Sequence, residues 1–117
     1  VEEVVLELPG VSEAAAIGVD DPDKGQKLVV FIVARPSAGG VSPTSLAAEV
    51  VQHVDARLGR PFRPAAVHAV EQLPKTRSSK IMRRVIRATY CDLPPGDLSS
   101  LDNPGALDAI RRAAAAG

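Results

Sequence analysis

Aromatic residues are scarce in this chain of 117 residues: there is no Trp, one Tyr (Tyr90) and two Phe (Phe31, Phe62). A stacking platform for single-stranded nucleic acid needs several flat side chains on one face, so this scarcity argues against one. The core must instead be built from Val, Leu, Ile and Ala, which an apolar content of 45% allows. Cysteine occurs once, as Cys91, which excludes an intramolecular disulfide and a cysteine-built zinc cage. Cys91 itself reads as a small packing residue or an incidental thiol. His53 and His68 stand apart with no second ligand at metal spacing, so no metal site is expected. No apolar run approaches the roughly 20 residues that a membrane-spanning helix needs. No signal-peptide pattern opens the chain, and a cytoplasmic protein without a membrane partner is the expectation. Phosphate-cradling glycine motifs and a nucleophile elbow are missing too. The sequence alone shows no complete active site.

Net charge is also zero, with 14 Lys and Arg against 14 Asp and Glu. The cations are nevertheless gathered. Lys75, Arg77, Lys80, Arg83, Arg84 and Arg87 fall between residues 75 and 87, and no carboxylate occurs from 72 to 91. Such a run suits a phosphate-rich ligand or an acidic partner surface. Its first half, Pro74-Lys75-Thr76-Arg77-Ser78-Ser79, has the proline and small hydroxyls of a loop. Ile81 and Met82 then open a helical pattern. Lys80 sits at that junction, either as a mobile point charge presented to another active site or as a solvated lysine at a helix start. Arg83 and Arg87 share a helix face, for docking or for solvation. Arg57, Arg60 and Arg63 form a second group around Gly59, suited to the phosphates of a nucleotide-like cofactor or simply to an exposed loop.

The pattern of the rest predicts a small single α+β domain, a three-stranded sheet flanked by helices. Val1, Val4, Val5 and Leu8 recur at helical spacing, with Glu2, Glu3 and Glu7 opposite. A chain that opens on Val inside such a pattern reads as a piece of a longer polypeptide. Residues 11–19 and 28–34 read as strands around a turn at 20–25, the second strand buried on both faces. A flexible loop at 36–40 leads to a helix capped by Ser42 or Thr44 and ended by Gly59, with Leu46, Val50, Val51, Val54 and Leu58 as its apolar stripe. A third strand is expected at 65–70, a helix at 82–90 buried through Met82, Val85, Ile86 and Thr89, and a tail at 92–117 that ends in an alanine-rich helix.

The run Pro74-Lys75-Thr76-Arg77-Ser78-Ser79-Lys80-Ile81-Met82-Arg83-Arg84 closely resembles the C-terminal signature of acyl-CoA synthetases in the adenylate-forming superfamily, whose usual form is P-K-T-R-S-G-K-I-M-R-R. Pro9-Gly10-Val11 with Glu13-Ala14-Ala15, the turn closing on Lys24-Gly25-Gln26, and the tail Gly96-Asp97-Leu98-Ser99-Ser100-Leu101 with Asn103-Pro104 are similar to further stretches of the same family, in the same order. The resemblance covers nearly the whole chain, 1–117.

That resemblance implies the mobile C-terminal lid of an AMP-forming acid:CoA ligase, inactive by itself. The implied substrates are ATP, a carboxylic acid and CoA, with Mg²⁺ in the full-length enzyme and none of them held tightly by this domain alone. The implied partner is the enzyme's own N-terminal domain, which carries the ATP and acid pocket. The lid rotates between adenylation, where the lysine matching Lys80 reaches the adenylate, and thioester formation, where another face helps build the CoA tunnel. That lysine is also a target of regulatory acetylation in many members. A protein lysine acetyltransferase and a deacylase are then implied partners, with Pro74, Lys75, Thr76, Arg77, Ser78, Ser79, Arg83 and Arg84 as the presenting and recognition surface.

Two departures matter. Ser79 stands where the family has Gly, which is strained if its φ is positive. The arginine that the family directs at the CoA 3′-phosphate aligns near Asp55, so Arg57, Arg60 and Arg63 stay candidates only. The competing reading, a stand-alone basic module for nucleic acid or an acidic protein, lacks both aromatic support and a domain-wide positive charge.

Overall fold

The computed structural model describes residues 2–8, 10–21, 23, 25–34, 43–94, 96 and 98–116. Along the chain come α1 (Glu2–Leu6), β1 (Val11–Asp21), β2 (Gly25–Ala34), α2 (Pro43–Leu58), a 3₁₀ turn (Arg60–Phe62), β3 (Ala66–Ala69), α3 (Arg83–Tyr90) and α4 (Ala106–Ala116). The order and type of elements are those the sequence predicts. The strands form one sheet in the order β1-β2-β3. β1 and β2 make an antiparallel hairpin, and β3 runs parallel to β2 with Val29 opposite Ala66 and Ile32 opposite Ala69.

β2 organises the core because it is the middle strand. Val29, Val30, Phe31 and Ile32 are all fully buried. Their side chains alternate across the sheet, so two separate clusters form. Val30 and Ile32 pack with Ala14 of β1, Val4 and Val5 of α1, and Leu46, Val50 and Val54 of α2. Val29 and Phe31 pack on the opposite side with Ala15 and Ile17 of β1, Leu73, Ile86 of α3 and Ile110 of α4. The sheet is therefore a wall with α1 and α2 on one face and α3 and α4 on the other. Among the described residues no helix is long and apolar enough to cross a membrane.

Several boundaries differ from the sequence reading. β1 continues to Asp21 and β2 starts at Gly25, so the hairpin is longer than its apolar part. Asp20 pairs with Gln26 and Val19 with Lys27. Polar residues extend the ladder there because its backbone bonds need no burial, whereas hydrophobic patterning detects only burial. α2 opens on Pro43, a residue preorganised for the first helical position, which puts Thr44 inside the helix rather than at its cap. Ser42 and the loop at 36–40 lie outside the described residues. Leu58 is exposed and Val51 only half-buried, so the stripe of α2 narrows to Leu46, Val50 and Val54. Gly59 does end that helix: its N–H bonds the Asp55 carbonyl at 2.9 Å and its φ is 90°, a conformation glycine takes without strain.

Candidate functional site

The basic run divides into a hairpin and a helix. Leu73 is fully buried in the core cluster shared with α3 and α4, and anchors the segment. Lys75 and Ile81 then face each other in an antiparallel bridge. The Thr76 N–H donates to the Lys80 carbonyl at 2.9 Å, and the Ser79 N–H donates to the Thr76 carbonyl at 2.9 Å. The Thr76 hydroxyl accepts from the Lys80 N–H at 3.2 Å. This is a tight hairpin whose loop is Arg77, Ser78 and Ser79, the length class that places its last residue in the left-handed region. Ser79 has a φ of 69°. The glycine-favouring conformation is therefore present at the position where this chain carries serine.

Lys80 consequently belongs to a hairpin and not to a helix start. α3 begins only at Arg83, with Met82 as its cap residue. Val85, Ile86, Ala88 and Thr89 form the buried face of α3. Lys80 and Arg77 are exposed, and neither makes an ion pair with a described residue. Both line a cleft of about 430 Å³ with Thr76, Ser78, Ser99 and Ser100.

The neighbouring cations are arranged differently. Lys75 Nζ lies 2.6 Å from Glu13 Oε2 on β1, and both side chains are partly buried. Arg83 Nε donates to Glu2 Oε2 at 2.6 Å, and its Nη2 pairs with Glu2 Oε1. Glu2 Oε2 also accepts the Ala16 N–H at 2.8 Å. Burial pushes the Glu2 carboxyl up, but the hydrogen bonds from Arg83 and Ala16 and the Arg83 charge outweigh it, leaving the pKa below the usual value. The same bond to Glu2, against a smaller effect of burial, raises Arg83. Arg87 Nε donates to the Gly18 carbonyl at 2.8 Å. Arg83 and Arg87 do share a face of α3, but that face grips α1 and β1. The guanidinium of Arg84 lies beside Gly96, where an added Cβ would come 3.1 Å from Nη1.

The second arginine group is split. Arg57 Nη2 bonds Glu7 Oε2 at 3.1 Å, and His53 Nε2 meets the other oxygen of Glu7 at 2.9 Å. Arg60 and Arg63 instead line a cleft of about 660 Å³ with Lys27, Leu28, Pro61 and Pro64. Lys27 escapes sequence reasoning because it arrives through the sheet: the Ala65 N–H bonds the Leu28 carbonyl at 2.8 Å and brings the two segments together. Ser99 and Ser100 were legible as part of the tail motif but not as a wall of the Lys80 cleft.

His68 on β3 is half-buried, with its ring 5.4 Å from that of Phe31 and Nε2 3.2 Å from the Tyr90 hydroxyl. Burial lowers its pKa. Among the described residues no three His, Cys, Asp or Glu side chains are gathered to hold a metal ion.

Comparison with known proteins gives this geometry a family. The chain is 42% identical to the 3-hydroxypropionyl-coenzyme A synthetase of Sulfurisphaera tokodaii over 97% of its own length and 17% of the relative's. It is 42% identical to the propionate–CoA ligase of Escherichia coli, over 97% of this chain and 18% of that one. It thus spans less than a fifth of the length of either relative. The acetoacetyl-CoA synthetase of Streptomyces lividans shares the fold, with a TM-score of 0.79 over 98% of this chain and 17% of that one at 20% identity. Residues 1–80 match the model of the AMP-binding enzyme C-terminal domain, and the chain belongs to that family.

Proposed function

We propose that this chain works as the C-terminal domain of an AMP-forming acyl-CoA synthetase, with Lys80 as its adenylation lysine. The observation that carries the reading is the contrast within one basic run. Lys75, Arg83 and Arg87 are held by partners within the domain, while Lys80 projects from a braced hairpin with no carboxylate partner among the described residues. Chemically, a substrate carboxylate attacks the α-phosphorus of ATP, the bond to pyrophosphate breaks, and an acyl-adenylate forms. Negative charge gathers on the reacting oxygens, and an ammonium placed there lowers the barrier. A CoA thiol then attacks the acyl carbon, and AMP leaves. The larger N-terminal domain holds the ATP and acid, and the lid turns between the steps. Mg²⁺ accompanies the ATP phosphates in the full-length enzyme. The reaction takes place in the cytoplasm, where ATP and CoA are supplied.

For CoA, the cleft of Arg60 and Arg63 with Lys27 offers three cations to phosphate groups, and Arg57 drops out because Glu7 holds it. For regulation, Lys80 is the substrate of an acetyltransferase, and a deacylase restores it; acetylation removes the charge that adenylation needs. Arg77, exposed and without an ion pair among the described residues, is the flanking contact, whereas Lys75 and Arg83 are held within the domain by Glu13 and Glu2. A basic binding module is less well supported, because Arg83 and Arg87 are engaged by Glu2 and the Gly18 carbonyl within the domain.

Lys80→Ala in the longer ligase is the test. Adenylate formation should fall by roughly 100-fold or more, the scale of lost charge stabilisation, while thioester formation from supplied adenylate persists. Equal losses in both half-reactions would sink the assignment.

A further inference from the structure

The tail reaches back to the lysine hairpin. Leu101 forms an antiparallel bridge with Thr76, and the Asp102 N–H donates to the Lys75 carbonyl at 2.9 Å. Asn103 follows with three bonds of its own. Its Oδ1 accepts the Lys75 N–H at 2.8 Å, and its Nδ2 donates to the Leu73 carbonyl at 2.8 Å and to Gln72 Oε1 at 3.3 Å. A carboxamide carries an acceptor and two donors in one plane, which is what two opposed backbone groups require. Those groups flank Pro74, whose nitrogen has no hydrogen to give. The Asn103 carbonyl meanwhile accepts the Ala106 N–H at 3.0 Å, at the start of α4. Ile110 of α4 is buried in the same cluster as Leu73. One side chain thus ties the stem of the hairpin to a packed helix.

We propose that Asn103 is a positioning residue for Lys80: its carboxamide locks the stem of hairpin 75–80 to the start of α4 and fixes where the Lys80 ammonium stands against the wall made by Ser99 and Ser100. The proposal rests on the reading of Lys80 as the adenylation lysine. Adenylation needs that ammonium aligned with the reacting oxygens, and small misplacements of a reacting group are costly in rate. Thioester formation uses another face of the lid and does not need the hairpin aligned.

The test compares Asn103→Ala and Asn103→Asp with Lys80→Ala in the longer ligase, scoring both half-reactions. Asn103→Ala should slow adenylation roughly 10- to 100-fold and leave the thioester step at the parent rate. Asn103→Asp keeps an acceptor for the Lys75 N–H but sets a second acceptor against the Leu73 carbonyl, and should show the same selective loss. In this chain, amide exchange should speed up at Thr76 and Ser79 in Asn103→Ala and stay slow across β2. Should alanine unfold the chain, the aspartate variant decides through the same two readouts. Unchanged exchange at Thr76 and Ser79, or equal losses in both half-reactions, overturns the proposal while a selective Lys80→Ala defect leaves the role of Lys80 standing. A Lys80→Ala enzyme that still adenylates overturns both.

Discussion

Glu2, in the first turn of α1, and Arg83, at the start of α3, meet as a two-pronged ion pair across the edge of β1. The carboxylate also takes the Ala16 N–H, so one side chain joins α1, β1 and α3. Its pKa is depressed in the fold, which makes the contribution to stability depend on pH. A depressed carboxyl stabilises above its unfolded value and loses that contribution as the pH falls through its folded value. Glu2→Gln should therefore lower stability at pH 7 by roughly 0.5–1 kcal/mol, allowing for solvent screening of a half-exposed guanidinium. The gap to the parent should close as the pH drops below the ordinary 4.5 of a glutamate. Thermal melts of both proteins from pH 7 to acid check this; parallel curves would show that the charge contributes nothing.

Ser79 makes a second, local prediction. Its φ of 69° places a Cβ where the left-handed region disfavours one. Ser79→Gly removes that strain but loosens the unfolded chain, which opposes the gain. The strain is the larger effect, so the glycine variant should be more stable by about 0.5–1 kcal/mol. Ser79→Val, β-branched at the same φ, should be destabilised. Chemical denaturation of the three proteins gives the order directly. A parent more stable than the glycine variant would mean that the serine is accommodated without strain.

The elements of this fold were legible because β2 and α3 carry clean apolar patterns. Residues 28–34 read as a doubly buried strand, and Val29 to Ile32 are indeed closed on both sides. Val85, Ile86 and Thr89 were likewise readable as the inner face of α3. What the sequence did not disclose is the destination of its charges. Glu2 lies 81 positions from Arg83, and Glu13 lies 62 from Lys75. No spacing rule connects such residues, since they meet only once α1, the Lys75 hairpin and α3 have folded onto β1. The basic run thus looked like a uniform cationic patch, whereas the fold neutralises Lys75 and Arg83 within it. The hairpin at 76–80 was hidden for a related reason. Ile81 and Met82 fit a helical period, but Ile81 pairs with Lys75 on the returning arm of the hairpin, and the helix starts only at Arg83.

Lysine reactivity offers a third check. Acylation by an activated acetyl reagent requires an accessible, unprotonated amine. Lys80 is exposed and lacks an ion-pair partner among the described residues, whereas Lys75 is partly buried against Glu13. At limiting reagent, peptide mass mapping should find Lys80 modified well before Lys75. Glu13→Gln should then raise the labelling of Lys75, because its side chain loses the carboxylate that holds it against β1. Equal labelling of both lysines in the parent would mean that the Glu13 pair does not shield.

The arginines around Gly59 can be separated by function. Arg60 and Arg63 share a cleft with Lys27, so their phosphate reading requires that charge reversal there weaken CoA use. Paired Arg60→Glu and Arg63→Glu substitutions in the longer ligase should raise the KM for CoA by roughly 10-fold or more, the scale of lost charge-assisted hydrogen bonds, and leave the adenylation half-reaction intact. Arg57 predicts the opposite behaviour. Its guanidinium bonds Glu7, beyond the end of α1, and Glu7 also meets His53 of α2. Arg57→Ala should therefore lower the melting temperature slightly, as expected for an exposed ion pair, without a change in the CoA KM. Steady-state kinetics with CoA varied, set beside melting curves, distinguish the two. A CoA defect in Arg57→Ala with none in the double reversal would move the phosphate site from the 3₁₀ turn to the helix.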